Sequence, residues 1–489
     1  MTTSFATPLM LSDPGNVRTI AARWVITAEV VLLTATRFGG RSGSPVDMPV
    51  LRDTCSGLPL LTGSTFAGAL RSYLADRLAG YGHEEPAQVA GLFGASRGDD
   101  DGSQSPLIIF DSIGLLQSGH AIEIRDNVKI DGASGTAVDH KKFDGEVLPA
   151  GTTFPIRLEL VIADTKSEPE LVLRLTTALA GLADGEITLG ARRSRGMGRL
   201  TSHNWKAKRF DLNSANGWIE WLTSDAENPL NGISPSHATA SAACVAAGHQ
   251  SSLAADNDKR QRVTITATLA LKGGLLVRSP AREADAPDVV QLRSGGQSVL
   301  PGTSVAGALR NRAMRIAHVI HKTEALAQQW VEGLFGPELM GTTDPNFKPH
   351  ASRLRISENV VNGGLRQRPT RIRIDRFTQG VFESALFDEE PHYGGEVVVI
   401  FELRNPTDAD VGFLLLLTKD LLDGDVALGG TASVGRGTVT GKARMLFVGG
   451  AADGREIALN RDQTLSPDDL VFVDAMIGAF HQPFGSAPA

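Results

Sequence analysis

The sequence predicts an α+β protein made of two similar domains in tandem. Residues 61–71 (LTGSTFAGALR) and 300–310 (LPGTSVAGALR) are nearly the same, at an offset of 239 residues. A Gly-x-Gly segment at 196–198 and another at 435–437 keep that offset. Two matches with equal spacing on either side of a long stretch indicate a duplicated domain. Neither copy shows the regular strand–helix alternation that is typical of a wholly parallel sheet.

Each copy is expected to open with a strand and continue into a helix. Residues 262–271 alternate Val, Ile, Ala and Leu with Thr and Ala, and residues 24–32 alternate in the same way. A period of two over ten residues predicts a half-buried strand. A loop rich in Gly, Arg, Ser and Pro follows in both copies. We expect Ser64 and Ser304 to cap the next helix at its N-terminus.

The middle of each copy is expected to carry a projecting hairpin, at residues 131–143 and 375–387, where Ile-Asp and Phe-Asp pairs recur at an offset of 244. Helical patterns follow at 170–183 and 409–422, and each leads into a glycine-rich turn and a last strand. Strand, helix, strands, helix, strand is the order of a ferredoxin-like fold. We therefore predict two such domains, each with an inserted hairpin and loop regions.

Four segments follow from this pattern. The first domain is predicted at residues 1–201, a partly irregular linker at 202–260, and the second domain at 261–446. The remaining tail, 447–489, ends in a Pro- and Gly-containing stretch that we expect to be loosely held.

Composition limits the functional classes. The 489 residues include 48 Lys and Arg against 55 Asp and Glu, a formal charge of −7, so a nucleic-acid site must be a local basic patch on an acidic body. Two cysteines, Cys55 and Cys244, exclude a disulfide framework or a zinc ribbon. The N-terminus does not resemble a signal peptide, and no apolar run is long enough to span a membrane. We expect a cytoplasmic protein without a membrane partner.

Basic and glycine-rich segments recur in both copies. The loops 190–199 and 429–437 combine glycines, whose backbone amides can approach phosphates closely, with arginines that fork onto them. A basic cluster lies in the middle of each copy, at Arg366, Arg368, Arg371, Arg373 and Arg376 and, as its counterpart, at Arg125, Lys129, Lys141 and Lys142. Because only 6% of the residues are aromatic, backbone contacts should dominate over base stacking. The residues that we expect to hold a polyanion are Arg52, Ser64, Arg71, Lys129, Lys141, Lys142, Arg192, Arg193, Arg195, Arg293, Ser304, Arg310, Arg371, Arg373, Arg376 and Arg436.

One aspartate in each copy occupies the loop before the capped helix. Aligning the Leu-Arg pairs that end at Arg52 and Arg293 puts Asp47 opposite Asp288. A carboxylate near bound phosphate can hold a divalent cation and position an attacking oxygen, although most loop aspartates only cap turns. The histidines show no mirrored pair and no metal-ligand spacing, so zinc or nucleophilic chemistry is not indicated.

Residues 46–53 (VDMPVLRD), the turn at 57–64, the Ala-Leu-Arg helix and the Gly-Met-Gly loop together resemble the RAMP superfamily. They are most similar to the repeated backbone subunits of type III CRISPR effector complexes. The resemblance covers both copies, at about residues 20–201 and 261–446, so the chain looks like two such subunits fused in tandem.

This resemblance implies an RNA-guided endoribonuclease subunit with RRM-like domains, in which the predicted polyanion-binding residues would be RNA-binding residues. Its partners would be CRISPR guide RNA, a single-stranded target RNA and other CRISPR effector subunits. Asp47 and Asp288 would be catalytic and would bind a divalent cation, Mg²⁺ or Mn²⁺, while the two hairpins would be thumbs that displace a base pair. The second copy departs from the pattern, because no aspartate follows its Leu-Arg pair and Asp285 competes with Asp288.

Two other functions stay open at this point. A non-catalytic scaffold could hold and protect the guide without cutting the target. A metal-independent nuclease could trim guide precursors, but such chemistry usually needs a histidine general base, and the copies share none.

Overall fold

The first half of the chain forms one antiparallel sheet with its helices packed against it. The computed structural model describes residues 20–40, 46–95, 103–132, 134–233, 235–249, 257–281, 286–338, 349–462 and 464–482. The strands of the first half are β1 (Ala22–Leu32), β2 (Leu60–Leu61), β3 (Leu107–Ile109), β4 (Ser112–Ile113), β5 (Glu123–Ile130), β6 (Ala137–Val147), β7 (Thr153–Ile162) and β8 (Leu200–Asp211). Its helices are α1 (Gly63–Ala79), α2 (Ala87–Phe93), α3 (Glu168–Ala183), α4 (Ala215–Thr223) and α5 (Ala240–Ala246).

The sheet of the first half has the strand order β3-β7-β1-β8. Its pairs are antiparallel, and Ile26 at the centre of β1 lies between Leu158 of β7 and Ala207 of β8. If β1, β3, β7 and β8 are numbered 1 to 4 in chain order, the sheet order from β8 to β3 is 4-1-3-2. Helices connect β1 to β3 and β7 to β8. The ferredoxin-like prediction is confirmed for this half.

The second half repeats this plan with more strands. Its strands are β9 (Arg262–Leu271), β10 (Gly274–Leu275), β11 (Arg278–Ser279), β12 (Val289–Gln291), β13 (Arg293–Ser294), β14 (Gln297–Leu300), β15 (Leu354–Ile356), β16 (Asn359–Asn362), β17 (Leu365–Arg366), β18 (Thr370–Ile374), β19 (Val381–Glu390), β20 (His392–Tyr393), β21 (Glu396–Arg404), β22 (Val439–Val448) and β23 (Glu456–Asn460). Its helices are α6 (Gly302–His321), α7 (Glu324–Phe335), α8 (Asp408–Asp423) and α9 (Pro467–Phe480).

The central strands of the second half correspond one by one to those of the first. Strand β9 lies between β21 and β22, and β15 pairs with the outer side of β21. Along β9 every second residue is buried, as the alternation predicts. The two halves therefore share the same fold, and the predicted α+β class is confirmed.

The helices after the glycine turns begin earlier than expected. Helix α1 starts at Gly63, with Thr62 as its N-cap, and α6 starts at Gly302 with no side-chain cap. Ser64 and Ser304 thus lie inside the first turn, and the prediction that they cap these helices is wrong. In the first copy the Thr62 hydroxyl already accepts the backbone N–H of Thr65, which is the bond a capping serine would make.

The predicted linker and tail contain ordered elements. Strand β8 continues to Asp211, ten residues past the predicted end of the first domain, and helices α4 and α5 follow it. In the tail, β23 pairs with β22, and α9 packs against α8. Phe480 at the end of α9 is fully buried and stacks on Phe413, so this helix completes the second core.

Each copy also carries a hairpin that stands apart from its sheet. Strands β5 and β6 form the first, and β18 and β19 form the second. Asp131 and Asp375 lie at the tips, where each carboxylate accepts backbone N–H groups of the turn. The predicted segments 131–143 and 375–387 therefore cover only the tip and one strand of each hairpin.

Candidate nucleic-acid interface

The loop aspartates of the two copies occupy equivalent places, at the base of the hairpins. The backbone N–H of Asp47 donates to Asp144 Oδ1 at 2.9 Å, and the N–H of Asp144 donates to Asp47 Oδ2 at 3.0 Å. In the second copy the N–H of Asp388 donates to Asp288 Oδ2 at 3.1 Å. The residue after each aspartate pairs in parallel with a strand of the hairpin: Met48 pairs with Gly145, and Val289 pairs with Glu389. Asp47 and Asp288, which the sequence alignment places opposite each other, therefore occupy equivalent positions in the structure.

The two aspartate sites differ in their charge. Arg368 donates to Asp388 Oδ2 through Nη2 at 2.8 Å and through Nε at 3.1 Å. Hydrogen bonds from the Thr370 hydroxyl and from Arg368 hold the pKa of Asp388 below its usual range. At the position equivalent to Arg368, 244 residues earlier, the first copy has Ile124. Asp47 and Asp144 are therefore two adjacent carboxylates without that arginine. The competing candidate Asp285 lies outside the described residues.

Could the first site hold a divalent cation? Among the described residues there is no cluster of three or more His, Cys, Asp or Glu side chains with metal-ligand geometry. However, Mg²⁺ keeps several waters and is commonly bound by one or two carboxylates together with substrate phosphates. Asp47 and Asp144 supply two carboxylates, and Asp47 is exposed. The donor set of the first site fits a cation that arrives with a nucleic-acid phosphate.

A cavity of about 1080 Å³ lies between the two copies, beside the first aspartate site. Met48, next to Asp47, and Phe143, next to Asp144, are among its lining residues. The described lining carries nine cationic side chains against four carboxylates, although the whole chain is acidic. Such a concave basic surface focuses the field on a polyanion. The cationic side chains are Arg37, Arg125, Lys129, Arg192, Arg195, Arg278, Arg310, Arg312 and Arg315.

Five of the predicted RNA-binding residues line this cavity. Lys129 pairs with Glu338 of the other copy, with 2.6 Å between Nζ and Oε2. Arg192 lies over the ring of Phe143 at 5.0 Å and donates to the side-chain oxygen of Asn127. Burial lowers the pKa of Arg192, and the charges of neighbouring arginines add to the effect. The five residues are Lys129, Arg192, Arg195, Ser304 and Arg310.

Several other predicted residues are held by carboxylates. Arg71 makes a bidentate pair with Glu85, at 2.7 and 2.6 Å, and Lys142 pairs with Asp126 at 2.7 Å. Arg436 forms a buried pair with Glu389 at 2.7 Å, which makes it a structural residue. The remaining pairs are those of Arg52 with Glu146, Arg293 with Glu390, and Arg371 with Glu389.

Within the part of the chain that the structure describes, the last group of predicted residues neither lines the cavity nor forms an ion pair of the kind given above. Arg373 and Arg376, near the tip of the second hairpin, lie over Phe382 at 4.7 Å and over Phe377 at 5.3 Å. Phe377 is 86% exposed, so this tip presents an aromatic ring and an arginine to solvent. Arg193 is exposed in the glycine loop, Ser64 is exposed on α1, and Lys141 is half-buried on β6.

Some cavity residues are absent from the sequence prediction. On α6, Arg312 and Arg315 follow Arg310 within two turns, and this spacing of arginines is visible in the sequence. Arg125 belongs to the basic cluster of the first copy, but its pairing could not be predicted, because its partner Glu358 lies 233 residues away in the second copy. The pair is buried, with side-chain exposures of 8% and 2%, and joins the first hairpin to the second domain.

A comparison with protein-family models matches the RAMP superfamily twice, at residues 29–201 and 268–440. The two matches cover most of the chain, and each runs from within the first strand of one ferredoxin-like unit to the start of its last strand. The chain belongs to the RAMP superfamily. Its two RAMP domains confirm the predicted tandem fusion, and this membership supports a CRISPR-associated role in RNA binding.

No similar sequence was found among curated proteins. No helix within the described part of this RAMP protein is both long and apolar enough to cross a membrane.

Proposed function

We propose that the chain is a backbone subunit of a type III CRISPR effector that binds guide RNA and cleaves the paired target RNA. One observation carries the proposal: the Asp47–Asp144 pair lies at the rim of the basic cavity, and its counterpart Asp288 occupies the same place in the second copy. A guide strand in the cavity would bring its paired target within reach of Asp47.

The residues of the first site have separate tasks in this proposal. The N–H of Asp144 fixes one oxygen of Asp47, which leaves the other oxygen to orient the attacking group. The arginines of the cavity hold the RNA backbone by charge and by hydrogen bonds, which carry no sequence information. A divalent cation, Mg²⁺ or Mn²⁺, would supply positive charge next to the scissile phosphate. The target sequence would be read by base pairing with the guide.

The second copy favours the scaffold alternative for its own site. Arg368 neutralises Asp388 beside Asp288, so less negative charge remains to hold a cation. One cleaving copy beside one structural copy is therefore the arrangement that this geometry favours. Other subunits of a CRISPR effector would extend the assembly.

The test uses the full-length chain purified with the RNA that it carries. Sequencing this RNA defines the guide, and a labelled complementary target is then incubated with Mg²⁺ or Mn²⁺. Asp47→Asn should slow cutting at one set of positions at least about 100-fold. Asp288→Asn should have a smaller effect. Asp53→Asn is the matched control, because Asp53 lies in the same loop but caps a turn through the N–H groups of Cys55 and Ser56.

Three outcomes separate the alternatives. An unchanged fragment pattern in the Asp47→Asn/Asp288→Asn double variant would show that the catalytic assignment is wrong, while RNA binding could stand. A target that stays intact with the wild-type chain and either cation would support the scaffold. Purification of the chain without any RNA would contradict the proposal as a whole.

A further inference from the structure

Two arginines, one from each copy, lie side by side in the wall of the cavity. Arg195 Nη2 donates to the carbonyl of Phe335 at 3.1 Å, and Arg310 Nη1 donates to the carbonyl of Gly336 at 2.8 Å. These two consecutive carbonyls end helix α7, where the helix dipole is negative. The end of one helix therefore draws both guanidinium groups to one place, although they come from different copies.

The two charges are not neutralised by an ion pair. Among the described residues, neither Arg195 nor Arg310 forms an ion pair with a carboxylate, and each donates to a backbone carbonyl instead. Burial lowers the pKa of Arg195 to about 10, and the charges of Arg310 and Arg192 contribute. Burial also lowers the pKa of Arg310, although Glu338 and Glu332 oppose this. Both groups stay protonated at neutral pH, so two like charges face one part of the cavity, where an anion would offset them.

The equivalent place in the first copy is built differently. Arg71 is the counterpart of Arg310 at the offset of 239 residues, but Glu85 holds it in a bidentate pair. Helix α1 is capped by Thr62, whereas α6 has no side-chain cap and its first turn, including Ser304, lines the cavity. The first copy has thus lost the free charge at a position where the second copy keeps it.

We infer that Arg195 and Arg310 together bind one phosphate group of an RNA strand that crosses the junction between the copies. Two planar guanidinium groups can donate several parallel hydrogen bonds to the oxygens of one phosphate. The inference rests on the proposed RNA binding, because RNA supplies the phosphate. Neither copy alone would form this site, so the strand would be anchored where the first copy meets the second.

The experiment measures binding of a labelled oligouridylate to the full-length chain freed of its own RNA, over a range of salt concentrations. Arg195→Ala and Arg310→Ala should each weaken binding about tenfold. If both arginines contact the same phosphate, the Arg195→Ala/Arg310→Ala double variant should make the negative slope of log K against log salt less steep by about 0.7, the value for one phosphate of a single strand. Arg71→Ala, the control on the equivalent helix, should bind within about twofold of wild type because Glu85 already holds Arg71.

Each other outcome contradicts a defined part of the inference. A slope that becomes less steep by about 1.4 in the double variant would assign the arginines to two separate phosphates. Unchanged affinity and slope, with a lower melting temperature, would show that the arginines only cap helix α7. Arg195→Lys and Arg310→Lys keep the positive charge, so they should retain the wild-type slope. They are the control for a change in slope that is caused by misfolding of the alanine variants. If the wild-type chain bound no RNA, the proposed function would fail first, and this inference with it.

Discussion

A single methyl group at Gly196 should push the two copies apart. A Cβ there would lie 2.0 Å from the backbone nitrogen of Glu358 and 2.5 Å from the carbonyl carbon of Ser357, whereas ordinary contact begins at 3.4 Å. Both neighbours are backbone atoms, so no side chain can rotate away. Gly196 also has a φ of +84°. The positive φ costs about 1–2 kcal/mol for alanine, and overpacking adds about 1–3 kcal/mol, so Gly196→Ala should destabilise the chain by about 2–5 kcal/mol.

The second copy supplies the control for this prediction. Gly435 occupies the same place in its glycine loop and has the same φ of +84°, but a Cβ there meets nothing within 4 Å. Gly435→Ala should therefore cost only the backbone strain, about 1–2 kcal/mol. Urea denaturation followed by tryptophan fluorescence compares the two variants. Equal destabilisation would refute the reasoning, because it would mean that the contact of Gly196 with the second copy adds nothing.

Three other variants test the packing and the charges. Glu358→Ala leaves Arg125 buried without its partner and should cost about 3–5 kcal/mol, whereas replacing both residues by apolar ones should cost much less; urea denaturation of the single and double variants checks this. Phe480→Ala removes a fully buried ring and should lower the free energy of unfolding by about 3–5 kcal/mol, measured in the same way; stability within 1 kcal/mol of wild type would mean that α9 is not part of the core. Burial raises the pKa of Glu186, but the hydrogen bond and the charge of Arg260 outweigh burial, so the pKa of Glu186 is lowered in the folded protein. The stabilisation that Glu186 contributes is therefore present above its unfolded pKa of about 4.3 and is lost as the pH falls through the folded pKa. The melting temperature should therefore fall less between pH 6 and pH 3 for Glu186→Gln than for wild type. An equal fall in both proteins would contradict this.

The duplication and the central strands could be predicted from the sequence because they depend on local patterns. The alternation over 262–271 marks β9 at both ends, since a strand with one buried face needs an apolar residue at every second position. The helix starts could not be placed in this way. Thr62 and Ser64 are both good caps, and only the backbone geometry decides that Thr62 takes the position.

The candidate site was harder to predict because its charges are set by distant partners. Arg71 and Arg310 look alike in the sequence, yet Glu85, from the loop after α1, neutralises only the first. Arg436 sits in a glycine loop that suggests phosphate binding, but a buried pair with Glu389 holds it. A motif can name the side chain that could bind phosphate, whereas the fold decides which charge remains free.

The two copies have diverged in opposite directions at two kinds of site. At the aspartate site, the first copy keeps Asp144 free of the arginine that pairs with Asp388 in the second. At the helix site, the second copy keeps Arg310 free of the carboxylate that holds Arg71 in the first. In a fused chain both kinds of site need to occur only once, because the covalent link holds the copies at a fixed ratio. The open carboxylates of one copy and the open arginine of the other border the same cavity, so the proposed cleavage site and the proposed phosphate anchor face one bound strand.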